Sequence, residues 1–214
     1  RFAITETLTR ATPLILTGLS AAVAFRAHFY NIGGEGQLYA GALAAVAVGG
    51  LHGGAGFAAH PALLFPLMIG AAMLAGALLL LGPALLRTRL GVDEVVTTLL
   101  LNFIVLLFVS MMLDGPMKDP TAMGWPQSVA LADDMQLAKL VERTRVHTGL
   151  LWALALAGIL WAMFRYTTFG FAVRAVGANA RGAAFVGVPV TRTTILVALL
   201  SGGPFVPGLS RVKA

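Results

Sequence analysis

The stretch FRAHFYNIGGEGQ, residues 25–37, decides how the rest of the chain is read. It carries Arg26, Asn31, Glu35 and the glycines Gly33, Gly34 and Gly36. On either side lies a run without a single charge, residues 11–25 and 36–51. In a water-soluble domain such a turn would sit on the surface. Here its flanks are apolar, and non-helical backbone at membrane depth survives only where protein buries it or where it lines a wet cavity. Two short apolar segments around a glycine break are therefore a pointer to a transport site. The alternative is a plain turn between two helices, with Arg26 and Glu35 solvated, which avoids the cost of burying charge.

Composition favours the membrane. Of 214 residues, 58% are hydrophobic and 11% charged, with a mean hydropathy of +0.85, whereas a soluble domain is roughly 25% charged. The expected fold is an all-α, polytopic transmembrane helical bundle with a short-helix and glycine-break element near its N-terminus. A net charge of +6 would suggest nucleic acid in a soluble chain. Here the arginines are dispersed among apolar spans, so the charge is read through topology and no nucleic-acid partner is expected. Without cysteine, disulfides, Fe–S clusters and thiol catalysis are excluded. The first residue is not Met and residues 1–10 are polar, so a true start further upstream is expected.

A helix that crosses the hydrocarbon core needs about 20 mostly apolar residues. Besides 11–25 and 36–51, candidates are residues 61–86, broken near the end by Gly82-Pro83, residues 95–113, residues 148–164 and the poorly finished run 193–210 with Pro204 and Pro207. Within 36–51, Gly41 and Ala45 form a small-xxx-small pair that lets another helix approach. His52 and His60 lie in a glycine-rich loop with no other ligand type nearby, so no metal site is expected. Residues 87–94 read as a compact charged turn. Asn102 is the one strongly polar residue of its span, and either bonds another helix or faces a pathway. Trp152 and Trp161 mark the two ends of their span in the manner of interfacial anchors.

Two polar segments set the topology. Residues 114–147 hold five acids and four bases, and 133–145 fit an amphipathic surface helix. Residues 165–192 hold Arg165, Arg174, Arg181 and Arg192 with no acid, and a short helix is expected over 170–186. The positive-inside rule makes 165–192 cytoplasmic and 114–147 extracytoplasmic. If the two short N-terminal segments are separate crossings, residues 1–10 lie outside; if they form one broken crossing, inside. Two crossings are the expectation, because 27 to 31 residues exceed one span.

No GxxxxGK[ST], GxSxG or HExxH occurs, and no paired intramembrane carboxylates, so neither an ATPase nor an intramembrane hydrolase is expected. A filter of the potassium-channel type is absent too. A transport subunit, a helix-packing scaffold or a cryptic enzyme remains.

Three motifs go further. TPLILTGLSAAVAFRAHFYNIGGEGQ (12–37), GVDEVVTTLLLNFI (91–104) and TTFGFAVRAVGANARGAAFVGVPVTR (167–192) together resemble the permease subunits of bacterial ABC importers for branched-chain amino acids, ribose-type sugars and nucleosides. The nucleoside and simple-sugar branch typically reads FNIGAEGQ, NEVxTTxMLN and GFxxRAVGxNPxAAxxAGI, and the resemblance covers residues 7–201. It implies a multi-pass permease of the bacterial plasma membrane, residues 1–214 being one partial transmembrane domain that moves nucleosides or simple sugars. A branched-chain amino acid permease and an ATP-independent transporter or channel are the alternatives. It also implies a substrate pathway at Asn31, Gly33, Gly34, Glu35, Gly36, Gln37 and Asn102, with ATPase coupling through Arg174, Gly177, Asn179 and Arg181 in 165–192. The implied partners are a cytoplasmic ATPase, which binds the ATP so that this chain needs no cofactor, a second permease subunit and an extracytoplasmic solute-binding protein. Gly34 stands where the family usually has Ala and Ala180 where it has Pro. After Ser201-Gly202 the family continues with small residues into further helices, whereas this chain reads GPFVPGLSRVKA, so a partial permease is expected.

Overall fold

The computed structural model describes residues 2–50, 61–119, 125, 127–128 and 148–203. They form α1 (Phe2–Arg26), α2 (Gly34–Gly50), α3 (Pro61–Leu90), α4 (Glu94–Asp114), α5 (Gly149–Tyr166), α6 (Thr168–Ala178), α7 (Ala180–Phe185) and α8 (Val190–Gly202). Four of these, α1, α3, α4 and α5, contain stretches long and apolar enough to cross a membrane. Only 22–28% of the residues along those stretches are buried within the chain, so most of the apolar surface is left for lipid or neighbouring subunits.

Helix α1 joins two clusters. Its Val23 and the following Ala27 pack with Leu160 and Phe164 of α5, Val173 of α6 and Val197 of α8. On another face, Ala24 and the following Phe29 pack with Leu80 and Ala84 of α3 and Ala198 of α8. A third cluster joins α2 to α3 through Ala45, Leu64, Met68 and Ala72, and Gly41 faces Ala72, as its small-xxx-small spacing anticipates. Helices α3 and α8 meet backbone to backbone at Gly76 and Gly202, where a side chain on either would collide with the other's carbonyl.

Three expectations are corrected. Helix α1 starts well before residue 11, because its polar first turns satisfy themselves: Arg10 pairs with Glu6 at 3.3 Å, and the Thr9 and Thr12 hydroxyls donate to the carbonyls of Thr5 and Leu8. Gly82-Pro83 does not end α3, which runs on to Leu90 and takes in half of the expected turn at 87–94. In hydrocarbon a freed backbone group finds no water, so continuing the helix beyond proline costs less than ending it. The single helix expected over 170–186 is two, α6 and α7, separated at Asn179. There φ of −160° and ψ of 103° break the helix, and the Asn179 side chain caps α7 by accepting from Gly182 N at 3.0 Å. The loop with His52 and His60, the surface helix at 133–145 and the run beyond Gly203 lie outside the described residues.

Candidate functional site

The break between α1 and α2 begins with a helix stop in which histidine takes the place usually held by glycine. His28 has φ of 52°. The amide of Phe29 donates to Ala24 O at 3.1 Å and that of His28 to Phe25 O at 3.0 Å, the paired bonds of a Schellman cap with His28 at its left-handed position. Phe29 folds back onto Ala24, and both are fully buried. The same cap closes α7 at Gly187, with φ of 86°.

From Tyr30 to Gly36 the chain climbs along α4, where a ladder of polar side chains four residues apart receives it. Tyr30 N donates to Glu94 Oε1 at 3.2 Å, Ile32 N to Thr98 Oγ1 at 3.2 Å, and Gly36 N to Asn102 Oδ1. The Thr98 hydroxyl donates in turn to Glu94 O at 2.7 Å, which orients its lone pairs toward Ile32. Eight helical residues from Glu94 to Asn102 rise about 12 Å, so α2 starts some two turns inside the bundle rather than at its end. The backbone donors that a break at this depth would orphan are supplied with acceptors by α4. Of the two readings of Asn102, the structure shows the helix-bonding one.

Within the break the side chains hold one another. Asn31 is buried; its Oδ1 accepts from Gly33 N at 2.9 Å, an Asx-turn, and its Nδ2 donates to Gln37 Oε1 at 3.1 Å. Gly33 and Gly36 leave room for the close approach of α4. A Cβ at 33 would lie 3.0 Å from Thr98 O, and one at 36 would lie 2.8 Å from Asn102 Oδ1. Gln37 is fully buried, and its Nε2 is the one buried side-chain polar atom without a partner among the described residues. Gly34 opens α2, half-buried. Glu35 is exposed on the first turn, where its charge favours the helix N-terminus but joins none of the buried bonds.

Arg87 of α3 locks this arrangement from the side. Its guanidinium pairs with Glu94 Oε1 and lies 5.7 Å from the ring centroid of Phe29. The sequence reads Arg87 and Glu94 as parts of a compact charged turn and gives Thr98 no role. The available signal was the spacing of Glu94, Thr98 and Asn102, which puts three polar residues on one face of an otherwise apolar span.

The basic segment is built differently. Gly177 is buried where α6 crosses α1, and a Cβ there would overlap the carbonyl of Arg26. Arg174 turns back, and its Nη1 donates to Phe164 O. Asn179 and Arg181 are exposed, with Asn179 forming the α7 cap, and Phe185 at the end of α7 is 94% exposed. Of the residues expected to couple to an ATPase, Arg174 and Gly177 anchor the segment to the spans, while Arg181 projects, as does Phe185.

A family model described as the permease component of branched-chain amino acid transport systems matches residues 3–203. The chain belongs to this permease family. Among curated proteins, the permease is 38% identical to the glucose ABC transporter permease protein TsgB13 of Haloferax volcanii, over 96% of this chain and 55% of that one. It is 34% identical to the guanosine ABC transporter permease protein NupP of Bacillus subtilis, over 94% and 56% of the two chains. With the nucleoside ABC transporter permease protein NupB of Lactococcus lactis it shares 32%, over 93% and 56%. The chain thus spans about half the length of the curated relatives it matches. No solved structure is a significant match. Family and apolar helices together make this permease a multi-pass membrane protein.

Proposed function

We propose that this permease is the membrane-spanning part of an ABC uptake system that carries nucleosides or simple sugars across a bacterial plasma membrane. The observation that carries this reading is the family match over residues 3–203, with nucleoside, guanosine and glucose permeases among the relatives. ATP is hydrolysed by a partner ATPase, since this chain has no P-loop sequence. A solute-binding protein delivers the solute, and a second permease subunit covers part of the outward apolar surface.

The pathway runs past the break. Asn31, Gly33, Gly34, Gly36 and Asn102 give that backbone its shape. Gln37, with its unpartnered Nε2, and the exposed Glu35 are the groups left to meet a hydroxyl-bearing or amide-bearing solute. A buried donor left unpaired when the wrong solute binds discriminates strongly against it. Residues 165–192 are cytoplasmic, and the partner ATPase docks on α7, with Arg181 and the bare Phe185 ring as its contacts. Gly177 and Arg174 transmit the push, because they tie α6 to α1 and α5.

Uptake of labelled nucleoside and of labelled glucose in cells carrying Glu35→Ala, Gln37→Leu or Asn102→Leu tests the pathway. Unchanged affinity and rate in all three removes it. Arg174→Glu with Arg181→Glu is expected to abolish both transport and ATPase co-purification. A channel or ATP-independent carrier would keep its uptake in that double variant.

A further inference from the structure

The ends of α1 and α5, together with α6, border a half-open cavity of about 290 Å³ that neither the break nor the exposed α7 uses. Its lining has two chemistries. Arg26, Arg165 and Arg174 contribute three guanidinium groups, and Leu19, Ala22, Ala157 and Trp161 form the accessible apolar wall running back along the spans. Among the described residues no carboxylate lies within ion-pair distance of any of the three arginines. Two of them are held in place: Arg26 sits 5.2 Å from the centroid of the Phe164 ring, and Arg174 donates to the carbonyl of the same residue. Trp161 and Tyr166 meet edge to face at 5.7 Å, both exposed, as aromatic residues at a membrane interface do.

We propose that this cavity is a binding site for an anionic phospholipid, its phosphate held by Arg26 and Arg165 beside Arg174 and its acyl chains laid along Leu19, Ala22, Ala157 and Trp161. Three like charges gathered at one end of a membrane bundle repel one another unless an anion joins them, and the bilayer supplies phosphates at that level. The apolar wall singles out a lipid over a soluble anion, which has nothing to place against it. Arginine suits the role, since its planar fork takes phosphate oxygens in pairs. The site is independent of the solute carried. It rests on the orientation proposed above only in lying in the cytoplasmic leaflet. A bound lipid there bridges α1, α5 and α6, the helices that anchor the basic segment, so anionic lipid would stiffen that anchor.

Trp161 lines the cavity and serves as its reporter. The intact permease, with Trp125 and Trp152 replaced by Phe, is reconstituted in vesicles in which brominated phosphatidylglycerol or brominated phosphatidylcholine is mixed with the unbrominated lipid. Quenching of Trp161 is expected to show a preference for phosphatidylglycerol of about fivefold or more, the worth of one arginine near an anionic headgroup. Arg26→Gln with Arg165→Gln is expected to bring it to near unity, while Arg→Lys at both positions retains part of it. A permease with Trp152 as its only tryptophan, nine residues and about 13 Å along α5, is expected to show no preference. Equal quenching of Trp161 by the two lipids overturns the proposal, as does an equal preference at Trp152, which would be surface potential alone. Loss of the preference when inorganic phosphate replaces chloride at constant ionic strength also overturns it, since the occupant would then be a soluble anion.

Discussion

Replacing Asn102 by Leu removes the acceptor of the Gly36 amide and leaves the shape of α4 otherwise intact. That amide is buried, opens the first turn of α2 and has Asn102 Oδ1 as its partner. Gly36 is pressed against the α4 backbone, with Asn102 Cα 3.1 Å from where its Cβ would be. A buried donor left without a partner costs about 1–3 kcal/mol. The two methyl groups that take the places of Oδ1 and Nδ2 need a wider approach than a hydrogen-bonded pair, which adds to the loss. The cost falls on the break itself, so the local opening equilibrium should move by a factor of roughly 5 to 150. Hydrogen exchange read by mass spectrometry on a peptide spanning residues 30–39 measures that opening directly. Exchange in this peptide should accelerate by that factor in Asn102→Leu, while peptides from α5 stay at their original rates. Leu99→Ala, on the exposed side of α4, should leave the peptide unchanged. If Asn102→Leu leaves exchange at residues 30–39 as it was in a folded protein, the ladder is not what holds the break.

Other perturbations separate the remaining contacts. Arg87→Met strands Glu94 and should destabilise the protein by about 1–3 kcal/mol, less than the loss for a fully buried pair because Arg87 is 31% exposed; a thermal midpoint in detergent equal to that of the unchanged protein would show the pair to be idle. Glu94→Gln keeps an acceptor for Tyr30 N and should cost less than Glu94→Ala in the same assay, whereas equal losses would mean that this bond contributes nothing. Gly177→Val drives a side chain into the Arg26 carbonyl and should cost about 2 kcal/mol or more, with early proteolysis between α5 and α7; an unchanged digestion pattern would argue against the α1–α6 contact. His28→Gly exchanges a left-handed histidine for the residue that adopts that conformation freely, and should leave the thermal midpoint equal or raise it, the gain being at most about 1 kcal/mol. A clear loss would place the value of His28 in its stacking on Tyr30, 6.0 Å away.

The sequence by itself determined the class of this protein and the place of its longest apolar helices. Burying so many apolar residues in 214 leaves a bilayer as the only economical surrounding, and uncharged runs such as 95–113 are legible one residue at a time. The glycines of residues 25–37 marked the break for the same local reason. Tertiary structure decided what could not be local. That α1 extends through Glu6 and Arg10, and that α3 passes Pro83, depends on which backbone groups find partners. Cutting the basic segment at Asn179 depends on a side chain competing successfully for Gly182 N. The roles of Arg87, Glu94 and Thr98 were invisible because their partners, Phe29, Tyr30 and Ile32, lie some sixty residues away in the chain. Only packing α4 against the break brings acceptors to those donors. The gathering of Arg26, Arg165 and Arg174 has the same origin: three isolated arginines in sequence line one cavity because α1 and α5 end beside α6.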